Sequence, residues 1–213
     1  MNRAVPFNRQ IRVAGLQLQL KPNVSIKTGN GTGADINLSI HAKTVFELLY
    51  GLNQEATQPR SRDQFLKRVL EVSIQILQAN SGSLVLFDDK GNACEATLAY
   101  KDEVRICPVE QLVDILQRGL AGWVFQHRRP VLVGDTRADK RWLRRAWEEN
   151  TTSRSAISAP LINGEDVLGV LTLVHSEPER FGEKDLSLLS SIAVQISFQY
   201  GSILSRLDEI NDR

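Results

Sequence analysis

Hydrophobic residues follow two rhythms along this chain, and the switches between them outline its elements. Leu38, Ala42, Val45, Leu49 and Leu52 recur at alternating steps of four and three, behind Asp35 or Asn37 as a cap. That is the seam pattern of a coiled-coil helix. Gly51, Pro59 and the polar stretch between them end it. A second helix is predicted from Arg62 to Gln78, where Phe65, Val69, Val72, Ile76 and Leu66, Leu70, Ile74, Leu77 form two adjoining stripes. A face that broad should be well buried.

The rhythm then shortens to that of strands. Ser83 to Phe87 and Ala93 to Tyr100 flank Asp88-Asp89-Lys90-Gly91-Asn92, a turn by composition. Ser155–Ile162 and Asp166–His175 flank Asn163-Gly164, and this pair supplies the positive φ that a tight hairpin turn requires. Val167 to Val174 is apolar at nearly every position, so both faces of that strand should be covered, as in the centre of a sheet. Glu183 and Asp185 open a last helix. Its positions Leu186, Leu189, Ala193, Ile196, Tyr200, Ile203, Leu207 and Ile210 keep the four-three rhythm to the end. We assign that stripe to a partner and a second stripe, Leu188, Ile192 and Phe198, to the body of the domain. Upstream, Ile11 to Leu20 alternates and Lys21-Pro22-Asn23 turns into Val24-Ser25-Ile26, which reads as a small hairpin.

These elements assemble into an α+β fold, an α/β/α layered domain around a central antiparallel sheet. The expected divisions are residues 1–34, an extension with the hairpin and a glycine-rich linker; 35–60, an amphipathic linker helix; and 61–213, the main domain with its extended last helix. A length of 213 residues, 42% of them hydrophobic, suits one main core.

The formal net charge of +1 gives no global field toward nucleic acid or a membrane surface. Two cysteines, Cys94 and Cys107, make no disulfide framework and have no ligand partners at metal spacing, and no apolar run is long enough for a membrane span or follows Met1 as a signal. A cytoplasmic protein is expected.

Candidate chemistry is sparse. His41, His127 and His175 belong to no triad or metal constellation, and Cys107 has only Arg105 nearby to activate it. The stretch Asp135-Thr136-Arg137-Ala138-Asp139-Lys140-Arg141-Trp142-Leu143-Arg144-Arg145-Ala146-Trp147 concentrates cations and two tryptophans. On a helix starting near Asp139, Lys140 would share a face with Arg144, and Arg141 with Arg145. Two readings stand. Glu148 and Glu149 pair with Arg144 and Arg145 on a solvated helix anchored by Trp142. Alternatively, an anionic or aromatic ligand sits between Trp142 and the sheet, with an arginine on its charge. Nucleic acid fits worse, because the basic run is short and acids follow it. No glycine-rich loop leads into a Lys-Ser or Lys-Thr pair, which argues against a phosphate-cradling nucleotidase.

Five segments in order carry a resemblance: Gly119-Leu-Ala-Gly-Trp-Val-Phe125, Arg129-Pro-Val-Leu-Val-Gly-Asp135, Ala159-Pro-Leu161, Gly164-Glu-Asp-Val-Leu-Gly-Val-Leu171 and Arg180-Phe-Gly-Glu-Lys-Asp-Leu-Ser-Leu-Leu189. Together they resemble the GAF family over roughly residues 63–204. The resemblance implies terminal helices on one face of the sheet and a ligand-pocket lid on the other. It implies a small-molecule-sensing regulatory protein that dimerises through its terminal helices and relays occupancy to a signalling partner. The site residues so implied are Tyr100, Trp123, Val133, Asp135, Arg141, Trp142 and Arg144.

No cofactor is identified by the resemblance. The cysteine-histidine pair of tetrapyrrole binders, the Asn-Lys-Phe-Asp-Glu set of cyclic-nucleotide phosphodiesterase members and the clustered cysteines of the free-methionine sulfoxide reductase branch are not recognisable. An interaction module with a filled pocket shares every one of the five segments and stays open as the alternative, with the redox enzyme a remote third.

Overall fold

The computed structural model of the chain describes residues 11–13, 16–18, 59–88, 90–100, 103–108, 110, 113–143 and 153–211. Two short strands, β1 (Ile11–Val13) and β2 (Leu16–Leu18), pair antiparallel with Val13 opposite Leu16. The alternating run thus contains two paired strands rather than one, and the expected turn at Lys21-Pro22-Asn23 with Val24-Ser25-Ile26 lies outside the described residues. The linker helix expected over residues 35–60 lies outside the described residues up to residue 58.

The first described helix, α1 (Pro59–Leu77), starts three residues before the expected Arg62. Proline suits a first helical position, where its missing N–H has no intrahelical partner to lose. Then come β3 (Ser81–Phe87), β4 (Ala93–Tyr100), β5 (Glu103–Ile106), the short α2 (Val113–Arg118) and α3 (Leu120–His127). The chain continues through β6 (Val131–Val133), β7 (Ser155–Asn163), β8 (Asp166–His175) and α4 (Glu183–Asn211).

Six strands form one antiparallel sheet in the order β5-β4-β3-β8-β7-β6, so the all-apolar β8 is central, as its pattern demands. Of the expected Asn163-Gly164 pair only Gly164 takes a positive φ, +61°; Asn163 is the last residue of β7 and faces Asp166, so the turn is made by Gly164-Glu165. One irregularity follows it. Ile162 faces Val167 but Leu161 faces Gly169, so β8 carries an extra residue there and every later pair shifts by one.

Strand alternation divides the side chains between two layers. On one face, Leu84, Leu86, Ile157, Leu161, Leu171 and Leu173 meet α1 through Phe65, Leu66, Val69 and Leu70, and α4 through Leu189, Ile192, Ile196 and Ile203. On the other, Val170, Val174 and Ala156 meet Leu120, Ala121 and Val124 of α3, while Val85, Ala96 and Cys107 form an adjoining cluster. Gly169 permits the close approach at the sheet centre: a Cβ there would lie 2.6 Å from the Val85 carbonyl oxygen and 2.9 Å from Leu86 Cδ2.

The assignment of the two stripes on α4 is corrected by this packing. Leu189, Ala193, Ile196, Tyr200 and Ile203, assigned above to a partner, are buried in the domain's own core, and Leu188 and Ile192 join them. Phe198, assigned to the body, is 71% exposed, and Val194 beside it 68%. The physical reason is breadth. A helix lying over a wide sheet buries well over a single seam, and Phe198 lies nearly opposite Ile196 on the helical wheel.

Candidate functional site

Register fixes what the lid-side face of the sheet offers. Ser158 and Ser83 each stand opposite Thr172, with Val131 at one end of the same row and Leu98 followed by Arg105 of β5 at the other. Three hydroxyl residues thus lie side by side across β3, β8 and β7. The Ser158 and Thr172 hydroxyls are buried and 2.8 Å apart, each satisfying the other. Ser83 is half-buried. On β3, β6, β7 and β8 this face otherwise includes Ser81, Val85, Phe87, Val131, Val133, Ala156, Pro160, Val170 and Val174, with no ionisable residue, and Phe87 meets Phe125 of α3 with ring centroids 4.1 Å apart.

The next row runs Tyr100, Ser81, Val174, Ala156, Val133. Tyr100 and Val133 are therefore four strand spacings apart, about 19 Å. Val133 instead belongs with Trp123 and Trp142, which are partly buried against the cluster of Leu120, Val124 and Val133.

The segment over this face, α3 and residues 139–142, which the resemblance would make the lid, is held by a clasp around Trp123. Gly119 is extended at the start of α3 and its carbonyl accepts the Trp123 N–H at 3.0 Å. His127, one turn on, stacks on the indole with ring centroids 4.1 Å apart. The guanidinium carbons of Arg141 and Arg129 lie 4.6 and 5.0 Å from the indole centroid. Arg141 is itself gripped by Asp139, whose Oδ1 accepts its Nε at 2.9 Å and whose Oδ2 accepts its Nη2 at 2.6 Å. This grip holds the Asp139 carboxyl below the usual carboxylate range, against a smaller opposing effect of burial.

Residues 139–143 do not form the helix expected to start near Asp139. Asp139 Oδ1 also accepts the Arg141 backbone N–H at 2.9 Å, and its carbonyl accepts that of Trp142 at 3.1 Å. An aspartate bonding its own backbone two residues on makes a turn that competes with helix. Arg144 and the expected pairs of Arg144 and Arg145 with Glu148 and Glu149 lie outside the described residues.

Asp135 lies in a second latch. Arg154 donates to both its oxygens, Nη2 at 2.8 Å and Nε at 3.3 Å, and the Arg137 N–H adds a third bond at 2.9 Å. The Arg154 hydrogen bonds, then that of Arg137, lower its pKa to about 2. Thr136 fastens the same point, its N–H to the Arg154 carbonyl and its hydroxyl to the Ser153 carbonyl. Asp135 thus ties the lid to the start of β7.

The remaining reactive groups lie apart. His175, on the helix side, accepts the Glu177 N–H at Nδ1 and meets Phe181 edge-on, while burial, then Arg180, lowers its pKa. Cys107 is buried and Cys94 exposed. His41 lies outside the described residues. Among those residues no cluster of three or more His, Cys, Asp or Glu is placed to hold a metal, and no helix is long and apolar enough to cross a membrane.

Sequence reasoning missed the hydroxyl row. An unbroken ladder continued from the Asn163–Asp166 and Ile162–Val167 pairs would set Ser158 opposite Leu171, which puts Ser158 and Thr172 on opposite faces; the extra residue in β8 brings them together. The signal available was two isolated hydroxyl residues in otherwise apolar strands.

Comparison with known proteins agrees with this architecture. A family model described as GAF domain matches residues 59–198. The GAF domain of a phosphoenolpyruvate-protein phosphotransferase from Coxiella burnetii superposes with a TM-score of 0.58 at 20% identity, covering 78% of this chain and 97% of its own. The equivalent domain from Acinetobacter gives 0.54 at 18% identity, covering 80% and 98%. Free methionine-R-sulfoxide reductase from Neisseria meningitidis, solved with its substrate, gives 0.56 at 19% identity, covering 78% and 93%. At such identities the likeness is one of fold. No curated protein matches the chain significantly in sequence. The six-stranded antiparallel sheet, the helices packed on it and the family match over 59–198 together establish that this chain belongs to the GAF domain family.

Proposed function

We propose that the chain is a small-molecule-sensing regulatory domain that takes its ligand between the lid and the hydroxyl-bearing face of the sheet. The observation that carries this reading is the clasp. Trp123 and Trp142 are themselves only partly buried where they pack on a buried apolar cluster, and the pieces over them are fastened by polar contacts of their own, Asp139 to Arg141 and Asp135 to Arg154. Such a lid can open and close as a unit without unpacking the helix-side core. The ligand class is aromatic. An anionic group on it would compete with Asp139 for Arg141, which loosens the clasp and converts occupancy into a change of lid position. The chain acts on no substrate of its own in this reading.

Dimerisation forms part of the proposal, with a seam different from the one the stripes first suggested. Val194 and Phe198, flanked by exposed Ser187, Ser191 and Ser202, offer an apolar ridge with small neighbours that admit a second helix closely. A uniformly monomeric protein by light scattering at tens of micromolar would remove this part and leave ligand binding standing.

The test of the ligand reading uses indole, benzoate and phenol as probes, followed by backbone amide shifts. Indole and benzoate should shift amides of Ser83, Thr172 and Trp142 together, and Trp142→Ala should abolish those shifts. Shifts confined to surface amides, or none with any probe, would favour the filled interaction module instead.

A further inference from the structure

We propose that the outer surface of the lid is a docking site for an acidic segment of a protein partner. Residues 118–143 contain six cations, Arg118, Arg128, Arg129, Arg137, Lys140 and Arg141, against two carboxylates, Asp135 and Asp139. The segment is thus +4 in a chain whose total is +1, so the rest carries −3. Both carboxylates are already neutralised within the domain, Asp139 by Arg141 and Asp135 by Arg154, the latter cation from outside the segment. Arg128, Arg129, Arg137 and Lys140 are all exposed. Among the described residues none of the four makes an ion pair.

The cations are also ordered. Arg129 and Arg141 approach the same indole, Trp123, from two separate chain segments, and Arg128 donates to the Glu165 carbonyl of the β7–β8 turn. Arg129, held on the ring, loses less freedom on binding than a free guanidinium and its planar fork suits a carboxylate, while the Arg141 fork is already taken by Asp139. Lys140, beside Arg141, extends the surface beyond the ring.

The spread of charge selects the partner. A lone small anion would call for cations converging on one point, whereas Arg137 and Lys140 lie along the following turn. Nucleic acid would want an open aromatic platform for its bases, and the Trp123 ring is already stacked by His127 and overlain by two guanidiniums. A chain of carboxylates on an extended peptide matches exposed cations spread along one segment. The inference does not depend on whether the lid covers a ligand.

The experiment is fluorescence anisotropy of a fluorescein-labelled decaglutamate peptide with the full chain. Binding at about 50 mM salt should weaken steeply toward about 500 mM. Arg129→Glu and Lys140→Glu should each weaken it by about tenfold or more, and Lys184→Glu, on the helix side, should leave it unchanged. Equal weakening by Lys184→Glu, no effect of the two lid variants, or no binding at low salt would overturn the proposal. So would equal competition by inorganic triphosphate or by single-stranded DNA, or a salt-sensitive self-association lost in Arg129→Glu, which would make the occupant a second copy of this chain.

Discussion

Replacing Ile196 by alanine and, separately, Phe198 by alanine tests which side of α4 is core. Ile196 is fully buried among the leucines of the sheet, and Phe198 is 71% exposed. Ile196→Ala removes three carbons, at about 0.8 kcal/mol each about 2.4 kcal/mol of transfer free energy. The cavity left in a close-packed layer adds about 1–2 kcal/mol, for a total of roughly 3–4 kcal/mol. For a chain of this size that is a fall in melting temperature of roughly 6–15 °C. Phe198→Ala should stay within about 0.5 kcal/mol. Urea denaturation followed by far-UV circular dichroism gives both values if the slope is unchanged. Running it at two protein concentrations separates core loss from a weakened dimer, because only the latter depends on concentration. An Ile196→Ala cost below about 1 kcal/mol together with a Phe198→Ala cost above about 2 kcal/mol, independent of concentration, would refute the packing assigned to this helix.

Three further outcomes follow from the same structure. Gly169→Ala places a Cβ 2.6 Å from the Val85 carbonyl, so it should destabilise by about 1–3 kcal/mol in urea, and a neutral result would mean the β3–β8 approach is looser than described. Ser158→Ala should cost about 1–3 kcal/mol by leaving the Thr172 hydroxyl buried without its partner, and adding Thr172→Val should recover part of the loss; strictly additive costs would deny the pair. The Arg154 and Arg137 hydrogen bonds lower the Asp135 pKa from its ordinary 3.8 to about 2, so its latch stabilises fully above the higher value and fades as pH falls toward the lower. The difference in urea midpoint between wild type and Asp135→Asn should be constant at neutral pH and shrink progressively below about pH 4, and a difference that persists unchanged to about pH 2 would deny the latch.

The sheet was readable because its signals are local. Gly164 marks its hairpin by backbone chemistry, although the turn lies one residue beyond the Asn163-Gly164 pair, and the unbroken apolar run of β8 marks the centre by burial on both faces. Periodicity could not say which stripe of α4 faces inward, since both are apolar and only the breadth of the sheet decides. The hydroxyl row escaped for another local reason: one inserted residue changes the facing of every pair beyond it. The cationic stretch was conspicuous in sequence, but Asp139 spends its side chain on a turn where a helix was expected. Of the anticipated site residues, Trp123, Val133, Trp142 and Arg141 come together, Asp135 serves the second latch, and Tyr100 stands several strands away.

Native mass spectrometry of the protein purified from its own host tests the sensing claim most directly. The account predicts a stoichiometric adduct, an aromatic molecule of a few hundred daltons, retained under gentle desolvation and lost in Trp142→Ala. Only the bare chain mass, under conditions that keep a control complex of ordinary affinity intact, would contradict it.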